Sequence, residues 1–382
     1  MIFGPTNPTL KKGSTSPGLH ATPVGVNSAF SESIATVPPL RWGILSTARI
    51  IRSNWVSMRE SGAATLVALA SREIGRAQEF IDELQAATPW PVKPAAYGSY
   101  ESLLADPAVD AVYIPLPTGI RKEWVIRAAG AGKHVLCEKP CAINAADLRE
   151  MIDSCARHEV MFMDGVMFMH DPRYLRLREI MDDGVTIGPV KRISSSFSFR
   201  GGDDFIGGDI RSHTALEPAG CLGDLGWYCL RGILWAMDWK LPQRVSGRVL
   251  ATAGSAIMDF SGDLDFADGA SATFHCSFLA HNQVWLNISG TRGSLRLSDF
   301  VSPAADNDSD WEIGYQRQPR LTDSGMSNPA RMFVNFAAAA QKLDRRWAEI
   351  SLITQVLQDA CELSSQLGRP LVLGDGAYRP DQ

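Results

Sequence analysis

The chain has 382 residues, 45% of them hydrophobic and 21% charged, and a formal net charge of −5. That length suits two domains with sizeable cores. The acidic balance and the lack of a basic run argue against nucleic acid as a partner. No apolar stretch in the sequence approaches the length of a membrane span.

The seven cysteines are Cys137, Cys141, Cys155, Cys221, Cys229, Cys276 and Cys361. Their odd number gives no paired extracellular framework. Cys137 and Cys141 have no companion pair at metal-ligand spacing, so no metal site is expected. Free thiols fit a reducing compartment, and a cytoplasmic location is expected.

Residues 1–38 are rich in Ser, Thr, Pro and Gly, and Glu32 is their only acid. Such a segment buries little and is expected to be a flexible extension. It lacks the apolar run of a secretory signal. Its acid-poor, hydroxyl-rich composition leaves an organellar transit peptide open, although it contains no arginine.

Strand and helix patterns alternate over residues 39–165. Strands are expected over 40–46, 65–70, from Tyr97, and over 109–114, 135–137 and 160–163. Helices are expected over 48–61, 75–84, 100–104, 122–131 and 145–158, the last capped by Asn144. This rhythm is that of a doubly wound parallel sheet of the Rossmann type. Over residues 166–382 the pattern changes. Strand-like runs at 190–199, 245–250, 257–266, 270–279, 284–289 and 293–297 follow one another without helices between most of them. Helices are expected at 174–181, 225–237, 332–343 and 347–367. The expectation is an α+β domain with a large, mostly antiparallel open sheet. Phe266, Phe274 and Phe278 share one parity and line one face, either a core or an interface.

Three loops at the carboxyl ends of the first sheet's strands carry the polar residues a nucleotide needs. The loop after the first strand reads Ser46-Thr47-Ala48-Arg49-Ile50-Ile51. The three glycines usual there are replaced by Ser46, Ala48 and Ile51. Ser46 and Ala48 remain small enough for backbone amides to face a phosphate. The second strand ends in Ser71-Arg72, where an arginine suits a 2′-phosphate better than a ribose hydroxyl. Pro115-Leu116-Pro117-Thr118, with Arg121 beyond it, makes a rigid loop after the fourth strand. The fifth strand runs into Glu138-Lys139-Pro140, where the proline stops the ladder and leaves a lysine at the strand's end. Further on, Gly223-Asp224-Leu225-Gly226-Trp227-Tyr228 places Asp224 and Tyr228 one helical turn apart.

Taken in order, Trp42-Gly43-Ile44-Leu45, Tyr113-Ile114-Pro115-Leu116-Pro117-Thr118, Glu138-Lys139-Pro140 and Gly223 to Tyr228 resemble the glucose–fructose oxidoreductase, inositol dehydrogenase and MocA family. The tyrosine at position 228 resembles the dihydrodiol and xylose dehydrogenase branch. The likeness spans roughly residues 40–375. It implies hydride transfer between a nicotinamide, NADP before NAD, and a hydroxyl or carbonyl carbon of a sugar, polyol or trans-dihydrodiol.

By that likeness Tyr228 is the acid/base, Lys139 lowers its pKa and orients it, and Asp224 binds substrate hydroxyls or steadies the pair. Burial beside a cationic nicotinamide is expected to disfavour the charged form of Lys139. Cofactor contacts are implied for Ser46, Thr47, Ala48, Arg49, Ile50, Ser71, Arg72, Pro115, Leu116, Pro117, Thr118, Arg121, Glu138, Lys139 and Pro140. Relatives commonly carry asparagine at position 118 and histidine at position 121, so contacts there do not transfer directly. Phe168, Trp227, Arg200 and Asp209 are weaker substrate candidates, as are Asp203, Asp204 and Arg211 in the same Gly-rich loop as Arg200. Asp164 and His170 are further cleft candidates. A homodimer or homotetramer through the second domain's sheet is implied. An N-terminal arm wrapping a neighbouring subunit is a further possibility. Two alternatives remain open: a non-catalytic NADP sensor of the same fold, and an NAD-dependent glycosidase.

Overall fold

The structure is a computed structural model that describes residues 38–202, 205, 208, 209, 214–301, 311–314, 316–318 and 326–373. The expectations for residues 1–37 and for Asp203, Asp204 and Arg211 lie outside the described residues.

The first sheet has six strands: β1 (Leu40–Leu45), β2 (Ala64–Ala70), β3 (Ala95–Tyr97), β4 (Ala111–Ile114), β5 (His134–Cys137) and β6 (Phe162–Asp164). They pair in parallel in the order β3-β2-β1-β4-β5-β6. Helices α1 (Ile51–Ser61), α2 (Ile74–Ala87), α3 (Tyr100–Leu104), α4 (Thr118–Gly130) and α5 (Ala145–Arg157) connect them. The strand order reverses between β1 and β4, which opens a crevice at the carboxyl ends of those strands. β4 is buried at every residue, and Trp42, Ile44 and Leu45 of β1 are fully buried. Strands covered on both faces read as continuous apolar runs, as these do.

Several boundaries differ from expectation by a few residues, among them two in the first part of the chain. β3 ends rather than starts at Tyr97, as a three-residue edge strand. α4 begins at Thr118 instead of Lys122 because Pro117, with φ −55, serves as its N-cap. A proline's fixed φ suits a helix entry as well as a rigid loop. Asn144 caps α5 as expected, its side chain accepting from the Asp147 N–H at 2.9 Å.

After α6 (Arg173–Asp182) come β7 (Val190–Ser198), β8 (Arg244–Ala253), β9 (Ala256–Asp265), β10 (Ser271–Ser277), β11 (Gln283–Gly290), β12 (Ser294–Leu297), β13 (Trp311–Ile313), β14 (Gln316–Arg317) and β15 (Leu371–Val372). They form a nine-stranded sheet in the order β14-β13-β12-β11-β7-β10-β9-β8-β15. Its pairings are antiparallel except β7 with β10, where Ile193 lies opposite Ala272. A crossover through the helix Trp227–Ala236 separates β7 from the β8-β9-β10 meander and allows that parallel pairing. Phe266, Phe274 and Phe278 are buried within the chain. Phe274 stacks on Phe260 at 5.9 Å, so this face is core. The opposite face is polar, with Arg192, Thr273 and His275 on it and His275 bonded to Asp259 at 2.8 Å.

One buried ion pair ties the two sheets' elements together. Arg231, on the helix Trp227–Ala236, donates to Asp164 at the end of β6 at 2.5 Å, and both side chains have 0% exposure. Its Nε donates to Thr354 Oγ1 on the helix Arg346–Leu367 at 2.7 Å. A charge this deep persists only when paired and hydrogen-bonded on all sides. The pair fixes the helix carrying Tyr228 against the edge of the first sheet.

Candidate active site

A cavity of about 1400 Å³ lies at the carboxyl ends of β1, β2, β4 and β5. The second part of the chain contributes Leu216, Glu217, Gly220, Asp224 and Tyr228 to its wall. It exceeds the space a drug-sized ligand needs, and suits an extended cofactor with a second small molecule.

The loop after β1 lines one end. Ser46 holds φ 132, a backbone angle that ordinarily favours glycine. Its Oγ accepts from the Ala48 N–H at 2.8 Å, which partly offsets the strain. The glycine conformation is thus kept without the glycine. α1 has no side-chain cap at its N-terminus; the Ile51 and Arg52 N–H groups turn back to Ala48 O and Arg49 O at 3.0 and 3.2 Å, and helix starts of this kind are where anions bind. Ser46→Gly and Ser46→Ala both lose the Oγ bond, but only glycine relieves the backbone. The glycine variant is expected to be the more stable by about 1 kcal/mol, read from denaturant midpoints. An alanine variant equal to or above it would show that Ser46 is unstrained.

Beyond the loop, Ser71 and Arg72 line the cavity with Arg76. Arg76 donates through Nε to Thr47 Oγ1 at 3.0 Å, which joins the start of α2 to the β1 loop. Tyr100 and Trp124 also line this end, their rings edge-to-face at 4.8 Å.

Pro115, Leu116, Pro117 and Arg121 line the cavity wall. Arg121 is buried and holds the loops together, with Nε on Leu116 O at 2.9 Å and Nη1 on Glu138 O at 2.9 Å. It also donates to Pro140 O. Thr118 does not line the cavity. Its N–H and Oγ1 donate to the two carboxylate oxygens of Glu217 at 3.1 and 2.6 Å. Gly119 donates its N–H to Leu216 O at 2.9 Å. A Cβ at Gly119 would lie 2.3 Å from Ala215 O, so the segment bearing Glu217 reaches the start of α4 only over a glycine.

At the far end stand Glu138, Lys139, Asp224 and Tyr228. Lys139 Nζ donates to the Asp224 backbone oxygen at 2.9 Å and to its carboxylate. It lies 4.7 Å from the centre of the Tyr228 ring. The side chains of Lys139 and Asp224 are 11% and 16% exposed. Asp224 sits in a wide π-helical turn, Leu222–Gly226, directly before the helix that starts at Trp227. Turns of this kind recur at functional sites. Burial disfavours the Lys139 ammonium, but the charges of Asp224 and Tyr228 outweigh it and hold its pKa above the ordinary lysine value. The expectation of a disfavoured charge concerns the site with a cationic nicotinamide bound; Asp224, expected to bind substrate hydroxyls or steady the pair, grips the lysine directly. Burial pushes the Tyr228 phenol up to about 12, against the downward pull of Lys139.

Behind Glu138 runs a buried chain. Asn54 Nδ2 donates to Tyr113 Oη at 2.7 Å, and Tyr113 Oη donates to Glu138 Oε1 at 2.5 Å.

Comparison with known proteins identifies the group to which this geometry belongs. The profile of the GFO/IDH/MocA oxidoreductase family, with an NAD-binding Rossmann fold, matches residues 40–166, and that of the GFO/IDH/MocA C-terminal domain matches residues 174–296. The chain is a GFO/IDH/MocA oxidoreductase. Among its relatives is the D-xylose 1-dehydrogenase (NADP(+)) 2 of Haloferax volcanii, 34% identical over 70% of this chain and 78% of that one. Another is the mouse (Mus musculus) trans-1,2-dihydrobenzene-1,2-diol dehydrogenase, 31% identical over 69% and 76%. In fold, the chain is similar to a 3-ketoreductase from Actinomadura kijaniata solved with NADP and TDP-benzene. That match has a TM-score of 0.75 and 24% identity, over 85% of this chain and 98% of the other. An aldose-aldose oxidoreductase from Caulobacter crescentus, solved with glycerol, matches with a TM-score of 0.76 and 21% identity over 88% and 100%.

Within this GFO/IDH/MocA chain the weaker substrate candidates separate by position. Asp209 lines the cavity. Phe168 is fully buried and packs behind Tyr228, ring centres 6.2 Å apart, so it backs the site without reaching it. Trp227 is fully buried beneath Arg231, because the helix turns that side to the core. Arg200 is exposed and away from the cavity wall. Asp164 is taken by Arg231. His170 stacks on Trp347 at 4.7 Å and bonds Asn335. Burial and then Arg231 push its pKa down to about 3, so it is neutral. Arg76 and Glu217 were missed from the sequence. Arg76 had a signal, four residues after Arg72 at the start of a helix. Glu217 had none, since its partner is 99 residues away.

Proposed function

We propose that this oxidoreductase uses NADP and acts on a hydroxyl or carbonyl carbon of a sugar, a polyol or a trans-dihydrodiol. One observation carries this reading: Lys139 is clasped by Asp224 beneath the face of Tyr228, at the end of a cavity that starts at Arg72 and Arg76. Bound there, NADP supplies the hydride acceptor, or as NADPH the donor. The chain's own part is the proton. Tyr228 takes it from the substrate hydroxyl or returns it to the carbonyl oxygen. The Lys139 ammonium favours the phenolate that forms when the proton moves on. Asp224 fixes the lysine and keeps it charged. Burial around the site keeps these interactions strong.

Arg72 and Arg76 are read as the partners of the 2′-phosphate, and the β1 loop with the start of α1 as the pyrophosphate seat. Residues 39–165 are read as the cofactor unit and residues 166–382 as the substrate and oligomerisation unit. The polar face of the nine-stranded sheet is the candidate interface for a homodimer or homotetramer. Seven buried free thiols fit a cytoplasmic location.

The test is a panel of aldoses, cyclic polyols and trans-dihydrodiols with NADP, followed at the nicotinamide absorbance. Turnover with at least one such class, and faster with NADP than NAD, is expected. Tight nucleotide binding with no turnover on any class would favour the sensor reading instead.

A further inference from the structure

The chain Asn54–Tyr113–Glu138 has no part in the proton transfer described above, yet it ends on the cavity wall. Tyr113 is central in β4 and fully buried, and Asn54 is buried in the first turn of α1. A fully buried phenol in mid-strand needs a partner. Here it donates to a carboxylate at 2.5 Å, within the short range of charge-assisted O–H···O⁻ bonds. Asn54 supplies a donor to the phenol oxygen and so directs the phenol hydrogen toward Glu138.

The Glu138 carboxylate is held on two further sides. Its Oε2 accepts from the Lys139 N–H at 3.3 Å. Gly165 leaves it room, since a Cβ there would lie 3.0 Å from Oε1. The neighbouring charges cancel in part. Lys139 is matched by Asp224, while Arg121 binds the backbone oxygen of Glu138 and other loop carbonyls, not its carboxylate. Glu217 lies on the Arg121 side, bonded to Thr118, so neutralising Glu138 would remove the carboxylate that stands beside Lys139 in the chain from this end of the cavity.

Resting on the reading of Lys139 and Tyr228 as the reacting end, we propose that Asn54 and Tyr113 are positioning residues that hold the Glu138 carboxylate as the counter-charge to the oxidised, cationic nicotinamide. The reduced ring is neutral and gains nothing from that charge. The chain therefore favours NADP⁺ over NADPH and lowers the reduction potential of the bound couple.

The experiment is a calorimetric or fluorescence titration of full-length wild type, Tyr113→Phe and Glu138→Gln with NADP⁺ and with NADPH. In Glu138→Gln the ratio of the NADPH to the NADP⁺ dissociation constant is expected to fall by roughly tenfold, through weaker NADP⁺ binding, as the loss of a nearby unit charge implies; Tyr113→Phe keeps the charge but releases it from its place, so the ratio should fall in the same direction by less. If Tyr113→Phe does not fold, Glu138→Gln alone decides, because it keeps the shape and removes the charge. A ratio unchanged in Glu138→Gln, whether both forms weaken equally or neither does, overturns the proposal and leaves the chain a structural role. Turnover of Tyr228→Phe is measured beside it. Unchanged turnover there strikes the reacting-end reading, while the binding ratio still reports on the counter-charge.

Discussion

Replacing Tyr228 by phenylalanine is expected to lower kcat by roughly 10²- to 10⁴-fold, the usual contribution of a positioned acid/base, with NADP affinity within a few-fold of wild type. The ring would still fill its place between Phe168 and Phe197, whose centres lie 6.2 and 5.5 Å from it. Only the proton-transferring oxygen is lost, so the fold should be undisturbed. Lys139→Ala is expected to cost a similar factor, for a different reason. It removes the cation that favours the phenolate, and it strips the Asp224 carboxylate of a buried partner. Its stability should therefore fall as well, which separates the two variants in a thermal melt. Steady-state kinetics with a turned-over substrate checks both. Turnover kept in Tyr228→Phe would remove the tyrosine from the chemistry and leave Lys139 itself as the group that meets the substrate oxygen.

Arg72→Ala is expected to weaken NADP binding by roughly 10- to 100-fold, as the loss of a charge-assisted bond to a phosphate does, while NAD binding changes little. The logic is differential: an interaction made only with the 2′-phosphate cannot affect a ligand that lacks it. Arg76→Ala should act in the same direction, with an added loss. Arg76 also donates to Thr47, so its removal loosens the loop that both cofactors share, and NAD binding should weaken too. Raising salt should narrow the wild-type preference, since this end of the cavity is open to screening. Equal losses for NADP and NAD in Arg72→Ala would place that guanidinium away from the 2′-phosphate.

The sheet architecture was legible because the strands alternate with helices in one part and follow one another in the next. Those two rhythms imply parallel and antiparallel pairing. The parallel β7–β10 pair was not legible, because register between distant strands leaves no local pattern. At the site, Lys139, Asp224 and Tyr228 stood out through the resemblance carried by Glu138-Lys139-Pro140 and Gly223 to Tyr228; strand-end and helix spacing alone do not single them out. Their consequence was not legible. That Asp224 grips Lys139 directly, and so keeps the ammonium charged, follows from a contact across 85 residues. The loop after β1 gives the same lesson. Its sequence had lost the glycine signal, but Ser46 keeps the glycine angle and ties down its own loop. Phe168 and Trp227 are substrate candidates from the sequence because aromatics near a motif suit a cleft as well as a core. Only the helix's orientation, set by Arg231 and Asp164, turned Trp227 inward. Arg121 read as a cofactor contact and lies on the cavity wall. Its burial against three loop carbonyls became visible only once those loops were folded together.

The most direct test of hydride transfer at this cavity is isotopic. The protein is mixed with NADP and substrates of the panel deuterated at the carbinol carbon, and the nicotinamide is examined by mass spectrometry. Deuterium appearing on the nicotinamide with wild type, and strongly reduced with Tyr228→Phe, is the predicted result. Nucleotide bound tightly but left unlabelled by every sugar, polyol and dihydrodiol tried would contradict it.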